Sequence, residues 1–190
     1  MATKPGEKKL HILQTLASML ENPKGEKITT ASLAARIGVS EAALYRHFAS
    51  KAQMFEGLIE FIESSVFGLI NQITVQQDNG LMQAQEIITM LLSFSSRNPG
   101  MTKVMTGYAL INEDDRLQLR MNQFVDRIEL ALKQSLRTAA QDGQFSDAEV
   151  SIRANLIVSV VLGRWQRFVK TSFKNDPLEN SARQIAFLLS

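Results

Sequence analysis

The sequence predicts an all-α protein with about nine helices. Apolar residues recur at every third or fourth position along most of the 190 residues, which is the spacing that places side chains on one face of a helix. No stretch alternates apolar and polar residues cleanly enough to predict a strand. Pro, Gly and Asn separate the periodic segments, at points where helices commonly end. The length suits one domain, or a small domain joined to a larger one, and roughly 70% of the unfolded surface can be buried.

The first helix is predicted over residues 7–21, where Ile12 and Leu16 share one face. It ends at Pro23 and Gly25, because proline lacks an amide donor and glycine tolerates the positive φ of a helix stop. The apolar face of this helix is expected to hold the two helices that follow.

Two short helices come next. The first of them begins at Thr29 or Thr30, either of which can cap it, and the second covers residues 40–47. A tight turn at Gly38 joins them. Two helices of about two turns, joined by a turn that contains glycine, form the helix-turn-helix plan, in which the second helix enters the major groove of DNA.

The fourth helix is the longest clear signal. Ser50 and Gln53 fit a capping box, in which each side chain satisfies a free amide of the other residue. The helix then continues to a stop at residues 78–80. Its apolar positions have the spacing of a core-facing stripe, and they are Phe55, Leu58, Ile59, Ile62, Val66, Leu69, Ile70 and Ile73.

Five more helices complete the prediction. The sixth starts at Asn98, an N-cap followed by proline at the first helical position. The others are expected over residues 81–97, 113–140 and 146–171, and from residue 176 onward. We predict a DNA-binding head of residues 1–50 and a helical dimerisation and partner-binding body of residues 51–190.

Basic residues are concentrated near the N-terminus. Residues 1–51 carry eight Lys and Arg side chains against four acidic ones, whereas the rest of the chain has a slight excess of acidic groups. A basic head on a neutral-to-acidic body favours a polyanion as the partner of the head.

Composition excludes several classes of protein. The chain has no cysteine, which rules out disulfides, thiolate nucleophiles and cysteine-ligated zinc. No stretch reaches the roughly 18 consecutive apolar residues of a membrane span, and the N-terminus lacks the apolar core of a secretory signal. We therefore expect a cytoplasmic protein with no membrane partner.

The sequence also argues against an enzyme. Its two histidines, His11 and His47, stand on different helices, and no metal-ligand spacing, phosphate-binding glycine loop or Gly-x-Ser-x-Gly motif occurs. The acidic row of Glu56, Glu60 and Glu63 is expected to be a solvated flank of the fourth helix. We predict no catalytic residue, no metal and no cofactor.

The candidate DNA-binding residues lie on the second and third helices and at the start of the fourth. Small residues at the leading end of the third helix let its backbone approach base edges, and alanine methyls can contact thymine methyls. Hydroxyls, ring donors and cations can bind phosphates, which fixes the register without reading sequence. The candidates are Thr29, Thr30, Ser40, Glu41, Ala42, Ala43, Tyr45, Arg46, His47 and Lys51.

A more specific pattern covers residues 38–51. Gly-Val-Ser at 38–40, Leu-Tyr-Arg-His-Phe at 44–48 and Ser-Lys at 50–51, followed by a long helix, resemble the DNA-binding head of TetR-type regulators. Members of that family are all-helical homodimers whose C-terminal body dimerises and often holds a ligand pocket. The resemblance implies a homodimer that binds a palindromic duplex, because two heads read half-sites one turn, ~34 Å, apart.

Within that family, the sequence resembles the nucleoid occlusion factors more closely still. The similar segments are residues 28–31, 39–48, 58–63, 97–100 and 115–118, within a looser similarity from about residue 12 to residue 173. The resemblance implies a nucleoid-associated protein that, when bound to DNA, antagonises polymers of the tubulin-like division protein FtsZ. Division across the nucleoid would thereby be blocked.

The same resemblance implies an FtsZ contact along the fourth and fifth helices. The matching positions are Met90, Ser93, Arg97 and Asn98. The sequence departs from the family pattern at two places, with Ser93 where glycine is expected and Leu69 where arginine is expected. Arg97 is the position at which we expect a substitution to separate action on FtsZ from DNA binding.

The dimer interface is expected on the eighth helix. Apolar residues cover more than one of its faces, so one face can pack inside the subunit while another meets a partner. The small residues Ser159 and Gly163 would let two helices approach closely. The expected interface residues are Ile157, Val161, Trp165 and Phe168.

An alternative function stays open at this point, namely a TetR-type repressor released from DNA by a small effector. Methionine and aromatic side chains of the body could line an adaptable cavity, although at helical spacing such residues are commonly core. The candidates are Met82, Met90, Met101, Met105, Met121, Phe94, Tyr108 and Phe124.

Overall fold

The computed structural model of the chain describes residues 5–22 and 28–190. Within those ranges there are nine α-helices, two short 3-10 turns and no strand, which confirms the all-α prediction. The predicted helix stop at Pro23 and Gly25 lies outside the described residues. The helices are α1 (Pro5–Leu20), α2 (Thr30–Ile37), α3 (Glu41–Tyr45), α4 (Lys51–Gln76), α5 (Gly80–Arg97), α6 (Pro99–Met105), α7 (Asp115–Gln141), α8 (Val150–Lys170) and α9 (Ser181–Leu189).

Helices α1 to α3 make up what we call the head, and α4 to α9 make up the body. Leu16 of α1, Leu33 of α2 and Leu44 of α3 are each at most 1% exposed and share one apolar core. Helix α1 packs on α2 and α4, and α2 packs on α3. Helix α3 ends at Tyr45, two residues before its predicted end, because the chain tightens and the amide of His47 donates to the carbonyl of Leu44.

Helix α4 is the long helix at which head and body meet. Leu58, Ile62 and Val66 are fully buried along one of its faces, as predicted, whereas Leu69, which was expected on the same stripe, is 39% exposed. The helix packs against α1, α5, α6 and α7. Among the described helices it alone is long and apolar enough to cross a membrane by length and composition, with a mean hydropathy of 1.3. The buried face of α4 packs against these helices, and its other face is exposed.

Polar and aromatic contacts fix α4 on α7. The guanidinium of Arg120 donates to the carboxylate of Glu63, with a shortest distance of 2.7 Å. One turn further along, the rings of Phe67 and Phe124 meet edge to face with centroids 5.5 Å apart. The guanidinium carbon of Arg127 lies 3.8 Å from the centroid of the Phe67 ring. Glu63, one of the acidic row on α4, is thus an ion-pair partner inside the subunit.

Two predicted helix starts differ in detail. Ser50 caps α4 as expected, since its Oγ accepts from the Gln53 amide at 3.1 Å, but Gln53 Oε1 accepts from the amide of Ala49 at 2.8 Å. A short 3-10 turn precedes α8, and there Ser146 Oγ accepts from the Ala148 amide. In both places a serine hydroxyl caps the start, and at Ser50 the second bond of the predicted capping box is shifted to the amide of Ala49.

The ninth helix begins later than predicted. The proline at 177 suggested a start, yet α9 begins only at Ser181. Asp176 Oδ1 instead accepts from the Leu178 amide at 2.8 Å, which closes a turn. Asn180, in the left-handed conformation with φ 55°, then leads into the helix.

Gly80 has a packing role that its sequence context did not indicate. We expected it to stop α4, but it is the first residue of α5, after the N-cap Asn79. A Cβ at this position would lie 2.3 Å from the carbonyl oxygen of Ser135 in α7. Glycine therefore allows the start of α5 to lie directly against the backbone of α7.

A similar close approach joins the body to the head. Gly100, in the first turn of α6, is buried against α1, and a Cβ there would lie 1.9 Å from the carbonyl oxygen of Ala17. Helices α1 and α6 therefore pack backbone to backbone at this point. Lys103, one turn further along α6, donates from its ammonium to the carbonyl of Asn22 at 2.7 Å, just beyond the end of α1.

We predict that Gly100→Ala lowers the free energy of unfolding by about 1–3 kcal/mol, because the added methyl overlaps backbone atoms of α1 that cannot move independently. Chemical denaturation of the purified protein measures this change. The matched control is Gly68→Ala on the exposed side of α4, where a Cβ meets no atom within 4 Å. That control should raise stability by about 0.5–1 kcal/mol through helix propensity. An unchanged midpoint for Gly100→Ala would contradict the close packing of α6 on α1.

Candidate nucleic-acid interface

The turn between α2 and α3 is fixed by local backbone chemistry. Gly38 adopts the left-handed conformation, with φ 79°, and its amide donates to the carbonyls of Ala34 and Ala35 at 2.9 and 3.2 Å. Residues with a side chain rarely adopt this conformation, which is why glycine stands there. Ser40 then caps α3 by accepting from the Ala43 amide at 3.2 Å.

The start of α2 is equally well fixed. Thr29 is its N-cap, and a capping box with Ser32 has both bonds at 3.0 Å. Beneath the surface, Leu33, Leu44 and Phe48 are buried and hold the two short helices on α1 and α4. The apolar core beneath the helix-turn-helix unit thus holds α3 in place at the surface of the head.

The ten predicted DNA-binding residues belong to the helix-turn-helix unit, the residues next to it and the first residue of α4. They follow the start of α2, the turn, α3 and the start of α4, and none is buried. The exposed ones are Thr29, Ser40, Glu41, Ala42, Tyr45 and Arg46. The half-buried ones are Thr30, Ala43, His47 and Lys51.

A short hydrogen-bond chain links α2 to α3 across the exposed surface. The hydroxyl of Thr30 donates to Glu41 Oε2 at 2.7 Å, and the phenol of Tyr45 donates to Thr30 Oγ1 at 3.5 Å. The first bond occupies an acidic group that would otherwise face an approaching polyanion. The second bond is long and therefore weak, so the phenol can exchange it for a phosphate oxygen.

Lys51 is less available than its position in the sequence suggested. Its ammonium forms an ion pair with Glu113, from the segment between α6 and α7, and lies 5.6 Å from the centroid of the Phe55 ring. The side chain is only 23% exposed. A phosphate would therefore have to compete with Glu113 for this cation. The two residues are 62 positions apart, so no local sequence signal could have indicated the pair.

A groove between α1 and α3 adds residues that the sequence did not single out. It has a volume of about 320 Å³, and Lys8 and His11 of α1 line it together with Ala43 and His47. Both histidines of the chain therefore meet at this groove, although they stand on different segments. The sequence did contain one indication of this groove: Lys8 and His11 are three residues apart, which places them on one face of α1.

The predicted FtsZ-facing residues share one side of α5. Met90 and Ser93 are half-buried, and Arg97 is exposed at the last turn. Arg97 makes no hydrogen bond or ion pair with any residue in the ranges 5–22 and 28–190. Asn98, by contrast, is held in place because its side-chain amide donates to the carbonyl of Phe94 at 2.7 Å.

The predicted dimer residues lie on the face of α8 that packs inside the subunit. Ile157, Val161, Trp165 and Phe168 are each at most 3% exposed, because this face packs inside the subunit, where α8 contacts α5, α6, α7 and α9. The sequence shows apolar residues on two faces and cannot tell which one the subunit covers. The exposed face carries Ile152, Leu156, Ser159 and Gly163, with Ile152 69% and Leu156 51% exposed.

The methionine and aromatic residues proposed to line one effector cavity are separated in the fold. Met105 and Met121 line a cavity of about 320 Å³ between α6, α7 and α8. Tyr108 lines another cavity between head and body. Phe124 is fully buried in the core, and Met82 is half exposed.

Two protein families match the sequence. The family of SlmA-like proteins described as "Tetracyclin repressor-like, C-terminal domain" matches residues 78–190. The family described as "Bacterial regulatory proteins, tetR family" matches residues 26–58, which include the helix-turn-helix. Together they cover most of the body and the part of the head that carries α3.

Similar proteins align with nearly the whole chain. The nucleoid occlusion factor SlmA of Shewanella loihica is 48% identical over 179 residues, which are 94% of this chain and 91% of that protein. The nucleoid occlusion factor SlmA of Idiomarina loihiensis is 48% identical over 185 residues, or 97% of this chain and 94% of that protein.

Solved structures support the fold. A TetR transcription regulator from Haloarcula marismortui superposes with a TM-score of 0.81 at 16% identity, covering 97% of each chain. The fatty acid degradation regulator FadR from Bacillus halodurans gives a TM-score of 0.81 at 14% identity, covering 100% of this chain and 97% of that one. The family matches and the identity along the chain lead to one conclusion: this protein belongs to the SlmA family of TetR-type DNA-binding regulators, which are not enzymes.

Proposed function

We propose that this protein is a nucleoid occlusion factor of the bacterial cytoplasm. It binds chromosomal DNA through α2 and α3, and its DNA-bound form inhibits assembly of FtsZ, so that no septum forms over the nucleoid. The observation that carries the proposal is the exposed polar face of α2 and α3, on a chain whose relatives are named as nucleoid occlusion factors. Arg97 on α5 is exposed and forms no ion pair among residues 5–22 and 28–190, which supports a second, separate contact surface.

In the proposed DNA complex, the N-terminal end of α3 lies in the major groove. Ala42 and Ala43 let the backbone come close to base edges, and Glu41 can accept from a cytosine amino group once Thr30 releases it. Thr29, Tyr45 and the other hydroxyl, imidazole and cationic groups around α3 bind phosphates. The head corresponds to residues 1–50 and the body to residues 51–190.

The proposed dimer forms through the exposed face of α8. Its apolar residues Ile152 and Leu156 continue into the small residues Ser159 and Gly163 along one stripe, and Phe187 of α9 is 70% exposed. A self-complementary helix face of this kind fits a two-fold interface. Two-fold symmetry in turn requires a palindromic site.

The proposed FtsZ contact uses the α5 surface of Met90, Ser93, Arg97 and Asn98. An exposed arginine suits an acidic segment of the partner, because its guanidinium can bind a carboxylate through two parallel hydrogen bonds. Met90 and Ser93, on preceding turns of α5, supply a flat, partly apolar surface beside it.

We predict that GTP-assembled FtsZ forms fewer or altered polymers only when this protein and a duplex that it binds are both present. Sedimentation with and without the duplex measures the effect, and in vitro selection identifies the duplex. Arg97→Asp should retain DNA affinity and lose the effect on FtsZ, since it reverses the charge of the contact.

The matched control is Arg137→Asp on α7, an exposed arginine far along the chain from the α5 surface. It should behave as the wild type in both assays. No effect of the wild-type protein on FtsZ with duplex still bound would contradict nucleoid occlusion and favour the alternative, a repressor released by a small effector. Equal loss of both activities in Arg97→Asp would mean that the substitution disrupts the fold.

We predict that Tyr45→Phe and Lys51→Met weaken binding to all duplexes alike, by roughly five- to tenfold, because each removes a phosphate contact of about 1–1.5 kcal/mol. For Lys51→Met the slope of log affinity against log salt should fall by about one. Fluorescence anisotropy over a salt series gives both quantities. Lys133→Met, on α7, is the control for loss of a paired lysine far from α3.

Glu113→Gln tests the competition for Lys51 directly. Removing the carboxylate frees the ammonium and removes a negative charge near the DNA, so affinity should rise by roughly two- to fivefold. A fall in affinity that matches Lys51→Met would show instead that the ion pair positions the head, and would remove Lys51 from the phosphate contacts.

We predict that Gly163→Val weakens the dimer, because a β-branched side chain would keep two α8 helices apart at their closest approach. Within the subunit, a Cβ at Gly163 or at Gly68 meets no atom within 4 Å, so Gly68→Val is a matched control for helix propensity. Analytical ultracentrifugation should show a raised dimer dissociation constant for Gly163→Val alone. Equal dissociation constants for the two variants would place the interface elsewhere.

A further inference from the structure

A cavity of about 350 Å³ lies where the head meets the body. Its walls come from the end of α1, the start of α4, and α6 with the segment that leads to α7. Apolar side chains, among them Met19, Phe55 and Ile111, form one part of the lining, and two lysines, Lys51 and Lys103, form another. Volumes of this size are typical of small-molecule sites, which combine an apolar lining with a few polar groups.

Lys103 is the unusual member of this lining. Its side chain belongs to a residue only 6% exposed, and burial lowers its pKa. Its ammonium donates to the carbonyl of Asn22 at 2.7 Å and lies 5.3 Å from the centroid of the Phe173 ring. None of the ion pairs formed among residues 5–22 and 28–190 includes Lys103.

A buried ammonium without a carboxylate partner is costly, because neither a carbonyl dipole nor a ring face replaces the hydration of a full charge. Lysine is therefore almost never buried unless it is paired. The charge of Lys51, on the same cavity, is already balanced by Glu113. Within the part of the chain that the structure describes, Lys103 is the cation of this cavity that has no carboxylate partner, and a single negative charge would balance it.

We propose that this cavity binds a small monocarboxylate with an apolar body. The carboxylate accepts hydrogen bonds from the ammonium of Lys103, and the apolar body packs against Met19, Phe55 and the neighbouring aliphatic side chains. The proposal stands independently of the action on DNA and FtsZ, since it concerns binding alone.

Two other cavities, both in the body, fit such an anion less well. The body cavity beside Met105 and Met121 has Asp126 in its lining and no lysine or arginine. The cavity between α8 and α9 contains Arg164, whose guanidinium already donates to the carbonyl of Glu179 and to other acceptors of that loop. The cavity between head and body combines an apolar wall with a lysine that is 6% exposed and has no carboxylate partner among residues 5–22 and 28–190.

Methionine methyl resonances can locate the ligand in the full-length protein. Met19 lines the proposed site, whereas Met105 and Met121 line the body cavity. The protein is labelled with ¹³C at the methionine methyls and titrated with butyrate, octanoate and benzoate up to about 10 mM, a range that detects millimolar dissociation constants. We expect a saturable shift of the Met19 resonance, assigned by Met19→Leu, with Met105 and Met121 unchanged.

Two further comparisons test the role of the charge. Octan-1-ol has the same chain as octanoate without its carboxylate, and it should bind at least about tenfold more weakly, as expected for loss of one hydrogen bond to a charged group. Lys103→Met removes the ammonium, retains an unbranched side chain one atom shorter, and should weaken octanoate binding to a similar degree. Lys170→Met, at the exposed end of α8, is the control and should bind as the wild type does.

Three results would overturn the proposal. The first is that none of the three carboxylates shifts Met19. The second is that Met105 and Met121 shift while Met19 does not, which would place the ligand in the body cavity. The third is equal affinity for octanoate and octan-1-ol in the wild-type protein, a measurement that does not depend on the folding of any variant.

Discussion

The close approach of α6 to α1 is the constraint on which the arrangement of head and body depends. With glycine at 100, two helix backbones come into direct contact, and the next turn of α6 brings Lys103 to the carbonyl of Asn22. Because α1 in turn supports α2 and holds the start of α4, the position of the helix-turn-helix relative to the body follows from this contact. A larger residue at 100 would displace all of these elements together.

The body completes this arrangement by fixing the start and the middle of α4. The ion pair of Arg120 with Glu63 and the stacking around Phe67 hold α4 on α7. The ion pair of Lys51 with Glu113 ties the first residue of α4 to the segment before α7. The helix that joins head to body is therefore held at its start and along its middle, and the proposed ligand site lies beside the first of these attachments.

Helix caps and turns could be predicted from the sequence, whereas contacts between residues far apart in the chain could not. The caps at Thr29 and Ser40 and the turn at Gly38 depend on residues at most four positions apart, so the pattern itself contains the cause. The burial of Trp165 and the pairing of Lys51 depend on helices far apart in sequence. The same distinction explains Gly80. From its sequence context it was expected to stop a helix, and its packing role was missed because the atom it lies against belongs to α7.

Because α4 is long, a small tilt of this helix produces a large displacement of the end that lies next to α3. Its 26 residues span about 39 Å, at 1.5 Å per residue. A tilt of about 5° around the end nearest α5 would displace the end nearest α3 by about 3 Å, roughly one base-pair step along DNA. In the proposed dimer, α4 acts as a lever arm, and a shift of this size in each subunit changes the separation of the two α3 helices by up to two base pairs.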